Sequence, residues 1–222
     1  MLIRADFSRR AIVAPDQYHW VASPQSGVER VMLDRVGAEQ ARATSIVRYA
    51  PGSDFPAHRH PRGEEILVLS GTFSEDGADY PAGWYLRNPP GSSHRPSSAD
   101  GTVIFVKLQQ MRPQEQHAVR IDTRDASSWQ RADGREVCPL FRDAVERTSL
   151  QRCAPGEALF DTVPDGAELL VLSGQVLLDG ESHAQGSWIR LPAGEYPGIV
   201  AGAHGATVYL KLGRLGDTAD AA

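Results

Sequence analysis

Short apolar runs recur along the chain, separated by polar and turn-forming residues. Ala43–Tyr49, Glu65–Leu69 and Thr102–Leu108 are rich in β-branched and aromatic side chains, and Gly, Pro, Asn or Asp interrupts the chain at intervals of about ten residues. Runs this short, bounded by turn residues, predict strands of a sandwich or barrel, so the expected fold class is all-β. Helical periodicity is weak, its best stretch being Asp143 to Thr148. The tail Gly216–Ala222 is small and polar, and is expected to be disordered.

The apolar pattern also repeats. Ala50-Pro51-Gly52 returns as Ala154-Pro155-Gly156, Glu65–Gly71 as Glu168–Gly174, and Val106-Lys107-Leu108 as Leu210-Lys211-Leu212. Gly83 through Gly91 answers to Gly186 through Gly194, and the offset stays at 103 to 104 residues throughout. Two copies of one β unit are therefore expected, residues 1–112 and 113–222, with the boundary near Arg112–Gln116.

Composition narrows the function classes. The 222 residues are 41% hydrophobic and 23% charged, with a net charge of -5, which describes an ordinary soluble domain with no basic face for nucleic acid. No apolar stretch reaches the length of about 18 residues that a membrane helix needs, and Met1–Asp6 lacks the core of a secretion signal. No membrane partner is expected, and a cytoplasmic location follows. Cys138 and Cys153 form no Cys-x-x-Cys pair and are expected to be buried, inert thiols. Flat sheet faces and exposed edge strands are compatible with a homodimer, although the sequence does not reveal the oligomeric state.

Candidate chemistry concentrates in residues 52–94. His58 and His60 are two apart, so on a strand both imidazoles leave one face. Pro61-Arg62-Gly63 is a short turn that returns Glu64 beside them, and the turn Pro89-Pro90-Gly91 presents His94. Three imidazoles and one carboxylate suit one divalent transition metal, zinc or iron in the first place and nickel, manganese or cobalt as well, better than calcium or magnesium. Four ligands close a tetrahedral zinc site, or leave two positions open around an octahedral ion. The repeat supplies an internal control. Opposite His58 and His60 the second copy has Asp161 and Val163, within one residue, and opposite Glu64 and His94 it has Ala167 and Pro197. All four ligands vanish together, so the second copy is expected to hold no metal. Glu65, matched by Glu168, needs only a structural role such as a surface ion pair, and Arg48, Arg87 and Lys107, matched by Arg152, Arg190 and Lys211, are expected to support the scaffold. Phe73, Tyr85 and Phe105 are candidates for the mouth of a pocket around the metal. His19, His117, His183 and His204 are expected in solvent, and no catalytic acid or base can be named beyond the ligands.

The pattern Gly52-x5-His58-x-His60-x3-Glu64-x6-Gly71, then Gly83-x5-Pro89-x-Gly91-x2-His94, resembles both motifs of the cupins, with Ser98 where an Asn often closes the second. The resemblance implies two tandem cupin jelly-roll barrels, a bicupin. The surrounding residues, His60-Pro61-Arg62-Gly63-Glu64-Glu65 and Arg87–His94, are more specifically similar to the cupin domain of ChrR-type anti-sigma factors. In that family the matching residues bind zinc and the domain serves a sensor of photooxidative stress; related cupins include dioxygenases that cleave diketones. The family's sigma-binding zinc module is not matched, because about twenty residues precede Trp20 and none is a cysteine, so a sigma-factor partner is not expected. The resemblance implies a metal-binding sensor or small-molecule-binding protein linked to oxidative-stress signalling, with an Fe(II)-dependent dioxygenase of a diketone-like substrate as the alternative.

Overall fold

The computed structural model describes residues 1–38 and 40–216. Among them every regular element is a strand except two single-turn 3-10 helices, Pro15–Gln17 and Ala126–Ser128, as the short apolar runs predict. The stretch from Asp143 to Thr148 is not helical. Asp143 closes a tight turn by accepting hydrogen bonds from the amides of Val145 and Glu146, both at 2.8 Å, and the strand Glu146–Cys153 follows. The tail after Gly216, expected to be disordered, lies outside the described residues.

The chain forms two compact units. Of the described residues, the first comprises Met1–Ala5 and those from His19 to Arg124; the second comprises Asp6–Tyr18 and those from Asp125 to Gly216. A single division after residue 112 was expected, and two segments depart from it. Val119–Asp122 pairs with Trp84–Asn88 and so belongs to the first unit, whereas Ala11–Val13 pairs with Trp188–Leu191 and belongs to the second. Each covers a strand edge that would otherwise leave backbone donors and acceptors unpaired. Strands of three or four residues carry too little pattern to name their partners in advance.

Both units share one antiparallel order. In the first the path runs Val28–Val36, Arg42–Tyr49, Thr102–Leu108, Glu64–Glu75, Trp84–Asn88, and in the second Arg135–Arg142, Glu146–Cys153, Val200–Gly213, Ala167–Leu178, Trp188–Leu191. Each adds a two-stranded sheet, His58–His60 with Ser92–His94 and Thr162–Val163 with Gly194–Glu195. The duplication read from the sequence is thus a duplication of topology.

The long strand Glu64–Glu75 does most to build the first unit's interior. Ile66 and Val68 face inward with Leu86, Ile104 and Val106 from the flanking strands. The register then shifts: Ile104 pairs with Val68 and Val103 with Ser70, so Leu69 is an extra residue. This bulge reverses the alternation, and Phe73 joins the same core although its parity differs from that of Ile66 and Val68. Gly71 follows at φ +70, where a Cβ would stand 2.0 Å from the carbonyl oxygen of Gly101. Only glycine fits there. Beyond it the strand leaves its first partners to pair with Ala78–Pro81 and Pro96–Ser98.

On the opposite face lies a buried row of charge. Glu65 stands between Arg87 and Lys107 in register; Arg87 donates to Glu65 at 2.9 Å, and its Nε and second terminal nitrogen donate to Glu115 at 2.8 and 2.9 Å. Glu65 is only 4% exposed, so its ion pair is interior and not on the surface as expected. The register repeats with Arg190, Glu168 and Lys211, which accords with a scaffold role for the matched cations. His183, expected in solvent, is buried as well.

Candidate metal centre

The register of the small sheet sets the histidines in place. His94 pairs directly with His58, and Ser92 with His60, so three imidazoles leave one face of a two-stranded ribbon. Their ring centroids are 4.7 to 4.8 Å apart, and their donor nitrogens all lie within 4.8 Å of one another, a group that can hold one metal ion. Gly63, whose amide donates to the His60 carbonyl at 3.1 Å, closes the turn that returns the chain to Glu64. The Glu64 carboxylate reaches 3.5 Å from Nε2 of both His60 and His94.

The donor spacings fit a cation. Around an ion bound at about 2.1 Å, neighbouring donors stand about 3.0 Å apart at right angles and about 3.4 Å apart at tetrahedral angles. Nε2 of His60 and His94 are 2.9 Å apart, and the two Glu64 contacts are 3.5 Å. Two ring nitrogens with lone pairs facing each other at that distance repel unless a proton or a cation lies between them.

Neighbouring groups fix which nitrogen faces inward. Nδ1 of His58 lies 2.9 Å from the Pro56 carbonyl oxygen, which can only accept, so Nδ1 carries the proton and Nε2 keeps its lone pair. Nδ1 of His94 donates in the same way to the buried carboxylate of Glu75. Glu75 was not singled out in the sequence, yet it organises this side of the site. It accepts from Arg120 at 2.7 Å; Arg120 donates also to the side-chain carbonyl of Asn88 at 2.6 Å, and the Asn88 amide donates to Glu64 at 3.2 Å. One network therefore holds both His94 and Glu64.

Burial sets the electrostatics. It lowers the pKa of His58, and pushes that of His60 down to about 3 with help from the neighbouring imidazoles, so both are neutral donors at physiological pH. Burial raises Glu64 to about 6, against the opposing pull of His94 and Asn88. For His94 burial opposes the charged form, but the Glu75 hydrogen bond and the charges of Glu64 and Glu75 outweigh it and raise the pKa. Glu75 is lowered in spite of its burial, because His94 and Arg120 favour the carboxylate.

A cavity of about 270 Å³ opens beside the cluster, with His58, His60 and Glu64 in one wall and Val28, Val47, Ile104 and Val106 among its apolar lining. The aromatics in that wall are Tyr49 and Phe55. The three expected at the mouth lie elsewhere. Phe73 is packed in the core with its ring 6.2 Å from that of His94, and Tyr85 and Phe105 pair with Leu67 on the face opposite Ile66, Ile104 and Val106. Alternation along each strand decides this, since Leu86 and Val106 occupy the inward positions next to them.

In the second unit apolar side chains stand where the first is polar. At the repeat offset Glu64, Glu75 and Asn88 correspond to Ala167, Leu178 and Leu191, all in the second core, and Ile12 pairs with Ile189 as Arg120 pairs with Leu86. The same comparison of copies that separated Glu64 from Glu65 would have found Glu75 and Asn88.

Residues 8–112 match the ChrR cupin-like domain family. That stretch, just under half of the chain, is similar to the cupin domains of ChrR-type proteins. Solved cupin-fold structures superimpose on nearly the whole length of the chain. A candidate dioxygenase from Nostoc punctiforme does so with 16% identity and a TM-score of 0.70, covering 99% of this chain and 84% of the other. Ylba from Escherichia coli matches with 18% identity and a TM-score of 0.68, over 94% and 93% of the two chains. The E. coli pirin YhhW, solved in complex with nickel(II), matches with 12% identity and a TM-score of 0.66, over 92% and 99%. At these identities the likeness establishes the fold, two jelly-roll units in tandem. Comparison with curated proteins gives no match. Among the described residues no helix is long and apolar enough to cross a membrane.

Proposed function

We propose that the first unit binds one divalent transition-metal ion through His58, His60, Glu64 and His94, and that the ion and the adjoining cavity together bind a small molecule. The role is that of a sensor or binding protein linked to oxidative-stress signalling, in keeping with the ChrR-like family of the domain. One observation carries the reading: His60, His94 and Glu64 converge at 2.9 to 3.5 Å from one another with His58 in the same group, and His58, His60 and Glu64 line a cavity. Zinc and iron are the first candidates for the ion, and the nickel in the related fold of YhhW keeps nickel among them. When bound, the ion supplies a Lewis-acid centre for an oxygen or nitrogen donor of the ligand. The chain's own part is to keep protons on Nδ1 of His58 and His94, to hold the Glu64 carboxylate through Asn88, and to exclude water with an apolar wall.

Metal analysis of protein purified without added ions tests this directly, with about one ion per chain expected. Thermal unfolding adds a second readout: an ion at 100 times its Kd stabilises by about 2.7 kcal/mol, so a chelator lowers the melting temperature of the wild type and leaves His60→Ala unchanged. Equal chelator sensitivity in the two proteins removes His60 from the ligand set.

The cavity favours a second reading, because it gives a small substrate access to the ion from the side of His58, His60 and Glu64. In that reading the ion is Fe(II) and the protein is a dioxygenase of a diketone-like carbonyl compound, an activity class shared with the candidate dioxygenase of the same fold. Oxygen uptake by iron-loaded protein with 2,4-pentanedione supports it, and no uptake under those conditions leaves the binding role.

A further inference from the structure

The cavity beside the metal centre carries a cation that the ligand set does not use. Arg30 lies on the strand Val28–Val36, two residues from Val28 and in register with Val47, and all three line the cavity. Its Nε is sealed from solvent and meets no hydrogen-bond acceptor, and among the described residues no carboxylate pairs with its guanidinium. A buried guanidinium nitrogen without an acceptor is uncommon in a folded protein. The only acidic residue in the cavity wall, among the described residues, is Glu64, which faces His60 and His94.

We infer that the cavity takes a small organic acid, its carboxylate held by Arg30 and its apolar body packed on Val28, Val47, Ile104 and Val106. The inference rests on the metal-centre reading for the acid's other end, where a second oxygen next to the carboxylate meets the ion. Charge supports the class. One carboxylate, Glu64, against a divalent ion and the guanidiniums of Arg30 and Arg59 leaves the cavity cationic, and a planar carboxylate matches the paired donors of arginine. Size supports it too. The cavity, at about 270 Å³, is less than twice the ~150 Å³ that admits benzene, so an occupant has about ten non-hydrogen atoms. A neutral amide of that size offers Arg30 one uncharged acceptor oxygen in place of a planar charged pair, and a cation would be repelled.

The full chain is loaded with cobalt(II) and titrated calorimetrically with 4-methyl-2-oxopentanoate and with the uncharged 4-methyl-2-oxopentanamide, while the cobalt absorption spectrum is recorded. The acid is expected to bind at least tenfold more tightly than the amide and to change the spectrum. Arg30→Met is expected to lose about ten- to hundredfold in affinity for the acid, the range for a hydrogen-bonded charge, with no change for the amide, and Arg30→Lys to recover part of the loss. Cobalt binding with no preference for acid over amide overturns the anion site and keeps the metal centre. Binding of the acid that Arg30→Met abolishes but cobalt does not influence keeps the anion site and overturns the metal centre. Loss of cobalt itself in Arg30→Met assigns Arg30 to the support of the coordination site and overturns its role toward the ligand.

Discussion

Replacing Glu75 by glutamine isolates what the network behind His94 contributes. One carboxylate oxygen of Glu75 accepts from Nδ1 of His94 and the other accepts from Arg120 at 2.7 Å. Both oxygens are needed as acceptors, and a glutamine has only one, so its amide nitrogen must point a donor at either His94 or Arg120. The variant keeps the shape of the side chain while disturbing the tautomer and orientation of His94 and removing the charge that favours its Nδ1 proton. Outer-shell partners of this kind are typically worth 10- to 100-fold in metal affinity, about 1.4 to 2.7 kcal/mol. Competition for cobalt(II) or zinc(II) with a chromophoric chelator measures it. Glu75→Gln is expected to bind one ion per chain still, with affinity lowered in that range, and Arg120→Met to lose less on its own and to be non-additive with Glu75→Gln in a double-mutant cycle. Affinity within threefold of the wild type in Glu75→Gln would refute the reasoning that His94 depends on Glu75.

Glu65→Ala breaks a buried ion pair on the opposite face of the same strand, where removal of one partner costs about 3–5 kcal/mol; because Arg87 keeps Glu115, about 3 is expected in urea unfolding, with metal affinity unchanged within threefold. Gly71→Ala places a Cβ against the Gly101 carbonyl at a positive φ and is expected to destabilise by more than about 1 kcal/mol, measured in the same way, whereas Gly52→Ala, with open space around it, is expected to lose less. Burial pushes the Cys138 thiol up to about 11, and raises Cys153 as well, so at pH 7.5 neither is appreciably ionised and the folded protein is expected to resist iodoacetamide. Mass spectrometry of alkylated folded and urea-unfolded samples checks this, and rapid labelling of the folded chain would contradict it.

The all-β class, the duplication and the histidine spacing were legible because each is local. A run such as Glu65–Leu69 announces a strand by itself, His58 and His60 share a face by the period of two, and the repeat offset holds from Ala50 to Leu212. Where the reading fell short, a non-local contact decided the outcome. Glu64 and Glu75 have opposite parity on one strand, so alternation puts them on opposite faces, and only the bulge at Leu69 sets both toward the site. Tyr85 and Phe105 suit a pocket mouth by composition, but their strands turn Leu86 and Val106 inward instead. Glu65, one residue from a candidate ligand, is buried with Arg87 because another strand brings that guanidinium to it.

The sequence alone determined that the chain builds one strand unit twice and that only the first carries the set of candidate metal ligands, since both follow from side-chain chemistry at fixed spacings. Tertiary structure alone decided that Arg120 stands behind Glu75, that Val119–Asp122 and Ala11–Val13 complete units other than their expected ones, and that Arg30 shares a cavity with His58 and His60. Edge pairing and cavity walls join residues far apart in the chain, and a short strand's choice of partner depends on which backbone edge is left to be covered.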